Sequence, residues 1–268
     1  MNNMIPNVLT IAGSDPSGGA GIQADIKTLS ALGAYSAAVI TALTAQNTRG
    51  VTAVHPISSR IVAEQLDAVF SDLQIDAVKI GMLANVEIIC TVAAAIERYQ
   101  PKYIVLDTVI LSSNGHLLLE PDSLSVLRER LLPLASIITP NLYESAVLLD
   151  QPIAENEAQM ASQGDALQAL GVYAVLLKGG HLSGLCSPDW LIEDFCHTRL
   201  VTNRVSVAGT HGTGCTLSSA MAALRPQRLN WVTTVCDAKI YLTQALMHST
   251  RISVGHGTGP LHHCYSWW

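Results

Sequence analysis

Residues 208–224 read AGTHGTGCTLSSAMAAL, a turn carrying Gly209, Gly212 and Gly214 that runs straight into a helix-like pattern, with Cys215 at the junction. Successive backbone N–H groups at a helix start, where the macrodipole supplies roughly half a positive charge, form an anion site. Glycine permits positive φ and close backbone approach, so the stretch Thr210, Gly212, Thr213, Gly214 can wrap developing negative charge. The pattern is neither the Walker loop GxxxxGKS/T nor a GxGxxG after a first strand, and a plain helix-start turn would use the same residues. Cys215 reads in two ways. It is a small buried hydrophobe, or it is a thiol whose pKa the helix N-terminus lowers below ~8.5, available to take a proton from a substrate hydroxyl. Phosphoryl transfer asks little of such a base, because positioning and charge neutralisation dominate.

Other residues carry compatible chemistry. GSDPSGGAG (13–21) could close backbone over a flat ring or form a mobile flap, and Asp25 in the helix after it could be a ligand contact or an ordinary surface acid. Gln46 ends an apolar run. A carboxamide there can pair with a ring nitrogen and an adjacent exocyclic amine, or simply bond its own loop. Asp107 ends KYIVLD, and TPNLYE sets Asn141 and Glu144 three apart. Such oxygen ligands suit Mg²⁺ on nucleotide phosphates. Lys178, followed by Gly179 and Gly180, could reach those phosphates as a point charge. Each of these residues alone also fits a surface or capping role. His256, His262 and His263 lack partners at metal-ligand spacing, and His211 reads as a loop-ordering residue. Trp267 and Trp268 have no interleaved basic residues and read as packing or oligomer contacts rather than a stacking platform for nucleic acid.

These residues need a scaffold, and the hydrophobic pattern supplies one. Strand-like runs at 7–13, 36–47, 76–81, 102–107, 136–140 and 172–180 alternate with helix-like ones. That alternation predicts an α/β protein with a central, mostly parallel sheet. The first helix spaces Ile22, Ile26, Leu29 and Leu32 at helical intervals, and the second carries Ile61, Gln65, Leu66, Val69 and Phe70. Residues 151–171 read as a polar connector, DWLIEDF and TRLVTNRV as hairpin or edge strands, and the last part as all helical, TGCTLSSAMAALR then NWVTTVCDAKIYLTQALMHS. In such sheets ligands gather beyond the carboxyl ends of the strands. GSDPSGGAG, Gln46–Asn47, GML (81–83), DTV (107–109), TPNLYE and KGGH all fall there, either as one shared site or as ordinary strand-ending turns.

The 268 residues are 49% hydrophobic and 13% charged, with a formal net charge of -6. A large core follows, and no basic field exists for nucleic acid or an anionic membrane. The opening MNNMIPNVLTIAGSD has no positive leader and only a short apolar run, so a cytoplasmic location is expected. Six scattered cysteines without a CxxC pair fit reduced thiols. No linker or repeat divides the chain, so residues 1–268 are expected to form one domain.

Taken in order, TIAGSDPSGGAGIQADIKTLSALGAY, ITALTAQNTRGV, KIGML, LDTV, ITPNLYE, LLKGGH, SPDWL, THGTGCTLS and GHGTGPLHH resemble the bacterial hydroxymethylpyrimidine/phosphomethylpyrimidine kinases of thiamine biosynthesis, which have the ribokinase-like fold. The resemblance spans nearly the whole chain. It implies a three-layer α/β/α architecture and phosphorylation of 4-amino-5-hydroxymethyl-2-methylpyrimidine, then of its monophosphate, by MgATP. It implies that Gln46 grips the pyrimidine, with Gly13, Ala20, Asp25, Met82 and Val109 around the ring and Thr44 in the same wall. The THGTGC segment matches the anion hole, and Cys215 takes the catalytic-base position. Asp107, Asn141, Glu144, Lys178, Gly180 and Thr210 fall on the nucleotide side, with Asp107 and Glu144 near the metal. Three departures stand out: Ser113 where the family often has lysine, Thr44 in place of an apolar residue, and Gly209 where a larger polar residue is common. A homodimer is expected. The competing readings are a pyridoxal kinase of the same fold and a pyrimidine-binding regulatory protein without turnover.

Overall fold

The computed structural model describes residues 4–111, 118–194, 196–207 and 209–268; Ser113 and Phe195 lie outside them. Among the described residues nine strands form one sheet: β1 (Asn7–Ser14), β2 (Tyr35–Asn47), β3 (Gly50–Pro56), β4 (Ala77–Ile80), β5 (Tyr103–Leu106), β6 (Ile137–Ile138), β7 (Ala174–Lys178), β8 (Cys186–Glu193) and β9 (Cys196–Asn203). Their spatial order is β3-β2-β1-β4-β5-β6-β7-β8-β9. Strands β2, β1, β4, β5, β6 and β7 run parallel, while β3 pairs antiparallel with β2 at one edge and β8 pairs antiparallel with both β7 and β9 at the other. The central strands are buried on both faces, which is why they read as continuous apolar runs instead of alternating ones.

Helices cover both faces. On one side α1 (Gly21–Ala31), α7 (Thr213–Leu224) and α8 (Trp231–Met247) pack through Leu29, Leu217, Met221, Trp231 and Tyr241. On the other, α2 (Ser59–Asp72), α3 (Val86–Tyr99), α4 (Ser123–Val126), α5 (Leu142–Leu149) and α6 (Glu157–Gln168) close over Leu66, Ile88, Ile96, Leu148 and Met160. α4 continues through a π turn at Leu127–Leu131 and a 3₁₀ turn at Leu132–Leu134, where Pro133 ends it. The result is a three-layer α/β/α architecture.

Three elements differ from the sequence expectation. The polar connector contains α6, started by Asn156, whose side chain accepts from the Gln159 N–H. Its inward face includes Gln163, Gly164 and Gln168, and the two amides are buried because they bond Pro152, Ser145 and Tyr173. Buried glutamines hide the apolar period of a helix. Strand β3 was not anticipated; it returns from a turn to pair antiparallel with β2, Asn47 opposite Gly50. The chain after α8 is not all helical. Residues 252–260 run irregularly back to the sheet, where the His256 and Gly257 N–H groups donate to Thr48 Oγ1 and the His211 N–H donates to the Gly259 carbonyl.

One charged contact ties the layers together. Lys79, within buried β4, reaches Asp25 of α1 with both N···O distances at 2.9–3.0 Å, and neither side chain is exposed. Thr10 Oγ1 donates to Asp25 Oδ2 at 2.6 Å and Ser219 Oγ of α7 donates to Oδ1 at 2.7 Å. Removing one member leaves the other charge buried and unpaired. Asp25→Ala and Lys79→Ala should therefore each lower unfolding free energy by about 3–5 kcal/mol, read from urea midpoints and slopes; a loss below 1 kcal/mol would show that the pair contributes little.

Candidate active site

A cavity of about 770 Å³ opens beyond the carboxyl ends of the parallel strands. It lies where the chain order reverses between β1 and β4, the usual crevice of open α/β sheets. The strand ends that read as polar or glycine-rich converge on it. Gly13, Ala20, Thr44, Gln46, Met82 and Val109 line one part; Asp107, Asn141, Glu144, Lys178, Gly180 and Thr210 line another; Gly212, Thr213, Gly214 and Cys215 lie at the mouth of α7.

Asp25 is a correction. It does not line the cavity; its carboxylate is fully buried beneath it, saturated by Thr10, Lys79 and Ser219. Facing the cavity in its stead is Lys79, which sequence reasoning missed although a lone lysine inside the apolar run DAVKIG was the available signal. Burial alone would depress the Lys79 ammonium, but the Asp25 charge first, with Asp107 adding to it, holds its pKa above the usual lysine value.

The glycine turns interlock. Gly212 caps α7 at φ +84, and a Cβ there would overlap the Gly19 carbonyl oxygen, so the two glycine-rich loops can touch only if Gly212 has no side chain. The first loop is anchored by Asp15. Its Oδ1 accepts from the N–H and hydroxyl of Ser17, and its Oδ2 from the Ala20 N–H at 2.8 Å and from His211 Nε2 at 2.9 Å. Burial pushes this carboxyl up, yet the His211 bond and the Ser17 and Ala20 donors bring it down to about 2. The loop read as a flap is thus tied to the loop before α7 by an ionised carboxylate, and His211 has the ordering part expected of it.

The thiol is a second correction. Burial pushes Cys215 up to about 11, outweighing the nearby Lys79 charge, while Asp25 and Asp107 push the same way. A helix N-terminus lowers a thiol pKa when the sulfur remains solvated; here desolvation wins. Cys215 is a neutral thiol at pH 7.

Opposite it, Lys178 Nζ lies 3.3 Å from Asp107 Oδ1 and 4.0 Å from Glu144 Oε2. Asp107 also accepts from Thr139 at 3.0 Å and Ser218 at 3.3 Å. Although burial opposes it, the Lys178 and Lys79 charges keep Asp107 below the ordinary carboxylate range. Glu144 and Asn141 form a reciprocal capping box at the start of α5. Burial raises Glu144 to about 7, with Asp107 adding to the rise and Lys178 opposing it. Among the described residues no group of three or more His, Cys, Asp or Glu side chains gathers as a metal cage. Two carboxylates already engaged with Lys178 fit a hydrated Mg²⁺ brought in on a nucleotide, which needs few protein ligands. The buried His262 and His263 sit below their usual pKa chiefly through burial, His263 at about 4, and form no such group.

With this geometry in place, comparison with known proteins is decisive. The phosphomethylpyrimidine kinase family profile matches residues 15–262. The chain belongs to that family. It is 56% identical to the hydroxymethylpyrimidine/phosphomethylpyrimidine kinase of Escherichia coli K12 over 98% of both chains, and 49% identical to that of Rhizobium meliloti over 97% of both. Among solved structures, a phosphomethylpyrimidine kinase from Clostridium difficile 630 superposes with a TM-score of 0.80 at 42% identity, covering 90% of this chain and 99% of that one. A Bacillus subtilis pyridoxal kinase in complex with ADP gives 0.89 at 32% identity, covering 98% and 99%. The chain is therefore a kinase.

Raised from an ordinary 4.5 to about 7, Glu144 binds a proton more tightly in the folded state, so its contribution to stability is complete below about pH 4.5 and is lost as pH rises through 7. The expected outcome is that Glu144→Gln flattens the fall in thermal midpoint between pH 5 and 7.5 relative to the unmodified chain. Parallel curves for the two proteins would contradict this.

Proposed function

We propose that this kinase phosphorylates 4-amino-5-hydroxymethyl-2-methylpyrimidine and then its monophosphate with MgATP, from one site in a single domain. The observation that carries the reading is one cavity holding both a carboxamide wall, Gln46 with Gly13, Ala20, Met82 and Val109, and an anion loop, Gly212–Cys215, beside Lys178. The relatives named as kinases of this pyrimidine support it.

Each group then has a task. Gln46 holds the aminopyrimidine edge. The first-turn N–H groups of α7 lack intrahelical acceptors and face the phosphoryl group in flight, where fixed donors lower the barrier most. Gly214 lies close to both Asp107 and Lys178, since a Cβ there would come 3.5 Å from Asp107 Oδ2 and 3.6 Å from Lys178 Nζ. Lys178 thereby neutralises charge next to the anion loop. Mg²⁺, when bound, would be held by the nucleotide with Asp107 and Glu144 alongside, and would neutralise phosphate charge.

Cys215 acts as a hydrogen-bonding thiol that positions the acceptor hydroxyl, not as a standing thiolate base. In a largely dissociative transfer the hydroxyl proton leaves late and a phosphoryl oxygen can receive it. In the second step the acceptor is already a phosphate, with no hydroxyl proton to manage. Cys215→Ala should slow the first phosphorylation about tenfold, the worth of one lost hydrogen bond, and the second by less. Cys215→Ser should retain most of the first. A serine variant as slow as the alanine one would point to thiolate catalysis.

A coupled assay offering the pyrimidine alcohol, its monophosphate and pyridoxal with MgATP tests the function itself. Pyridoxal is included because of the 0.89 likeness to a pyridoxal kinase. ADP release and both phosphorylated pyrimidines are expected; preferential turnover of pyridoxal would overturn the assignment.

A further inference from the structure

Given the proposed function, on which this rests, we infer that Thr44 and His211 set the orientation of the Gln46 carboxamide and so decide which hydrogen-bonding edge of a pyrimidine the site reads. Gln46 Oε1 faces Thr44 Oγ1 at 3.2 Å, and its Nε2 faces His211 Nε2 at 3.2 Å. Both neighbours have their roles already assigned. Thr44 Oγ1 donates its single proton to the Ser14 carbonyl at 2.7 Å. Toward Gln46 it offers only lone pairs, and it requires a donor. His211 Nε2 lies 2.9 Å from Asp15 Oδ2, an ionised carboxylate that can only accept. That nitrogen carries the proton, has no lone pair in the ring plane to offer, and requires an acceptor.

An amide with its oxygen toward Thr44 and its nitrogen toward His211 is mismatched at both ends. A half-turn about its last bond exchanges two nearly isosteric groups and repairs both contacts at once. Nε2 then donates to Thr44, and Oε1 accepts from His211, which shares its proton with Asp15. The two ends call for the same half-turn independently. Asp15, which anchors the first glycine loop, acts on Gln46 through the imidazole.

The locked amide keeps one N–H on the Thr44 side and one oxygen lone pair on the His211 side. His211 is the residue before Gly212, so the oxygen end lies toward the anion loop. An aminopyrimidine edge presents a ring-nitrogen acceptor, then an exocyclic amine donor, then the hydroxymethyl carbon. It pairs with this amide when the amine points toward His211, which carries the hydroxymethyl group toward Gly212–Cys215. A 4-oxo ring presents the reverse order, N–H donor then carbonyl acceptor, and would need the amide turned back against both Thr44 and His211. Thr44 and His211 are positioning residues in this account; Gln46 makes the contact.

The test measures kcat/KM with MgATP for the 4-amino alcohol and its 4-oxo analogue. Thr44→Val removes the acceptor while keeping the side-chain shape, and the amino-to-oxo preference should fall about tenfold, the worth of one hydrogen bond. Thr44→Ser restores the hydroxyl and should restore the preference. A preference unchanged within twofold in Thr44→Val, with the amino compound still turned over, overturns this inference alone. No turnover of either pyrimidine by the unmodified protein overturns the proposed function and this inference with it. Nitrogen NMR of His211 at pH 7 gives a readout independent of turnover: a proton on Nε2 supports the assignment, and a bare Nε2 overturns it.

Discussion

The buried contact between Lys79 and Asp25 is the constraint around which the site is arranged. It joins the middle of the sheet, through β4, to α1, and Ser219 brings α7 onto the same carboxylate. Helix α7 can sit this close because most of its buried residues are small: Ser218, Ser219, Ala220, Ala222 and Ala223 stand among the larger Leu217, Met221 and Leu224. A helix drawn down onto the strand ends points its N-terminus into the cavity at a fixed height. The anion loop thus owes its position to a charge pair whose carboxylate lies beneath the cavity and whose ammonium faces it.

That arrangement determines the electrostatics above it. The Lys79 ammonium and the α7 dipole lie on one side, and Lys178 on the other, between Asp107 and Glu144. Positive groups are held charged by buried carboxylates, while Glu144 is raised and Cys215 is kept neutral by desolvation. Under the proposed function the site receives several phosphate charges and gains from a thiol that adds none. It also gains from donors already in place, since groups that need no reorganisation stabilise the transferring phosphoryl most.

Much of this was legible in the chain. Continuous apolar runs ending in GSDPSGGAG, Gln46, DTV, TPNLYE and KGGH define parallel strands whose carboxyl ends carry polar groups, and backbone topology alone brings such ends together. Helix α6 was not legible, because Gln163 and Gln168 sit inward and make their hydrogen bonds with residues that only folding places nearby. The family resemblance put Asp25 at the ring; spacing places it on α1, but whether its carboxylate looks up at a ligand or down at Lys79 depends on the strand beneath. The return of residues 252–260 to the loop before α7 has no local signature either, since its bonds are to Thr48 and His211, distant in the chain.

The amino-acid sequence by itself determined the α/β class, the family, and most of the groups that line the cavity, though not Lys79, because periodicity and strand-end chemistry are local properties of the chain. The tertiary structure decided the ionisation of Cys215 and Glu144, the burial of Asp25 and the partners of Gln46. Those properties depend on desolvation and on hydrogen bonds between residues far apart in the chain, such as Gln46 and His211, and neither exists until the layers have packed.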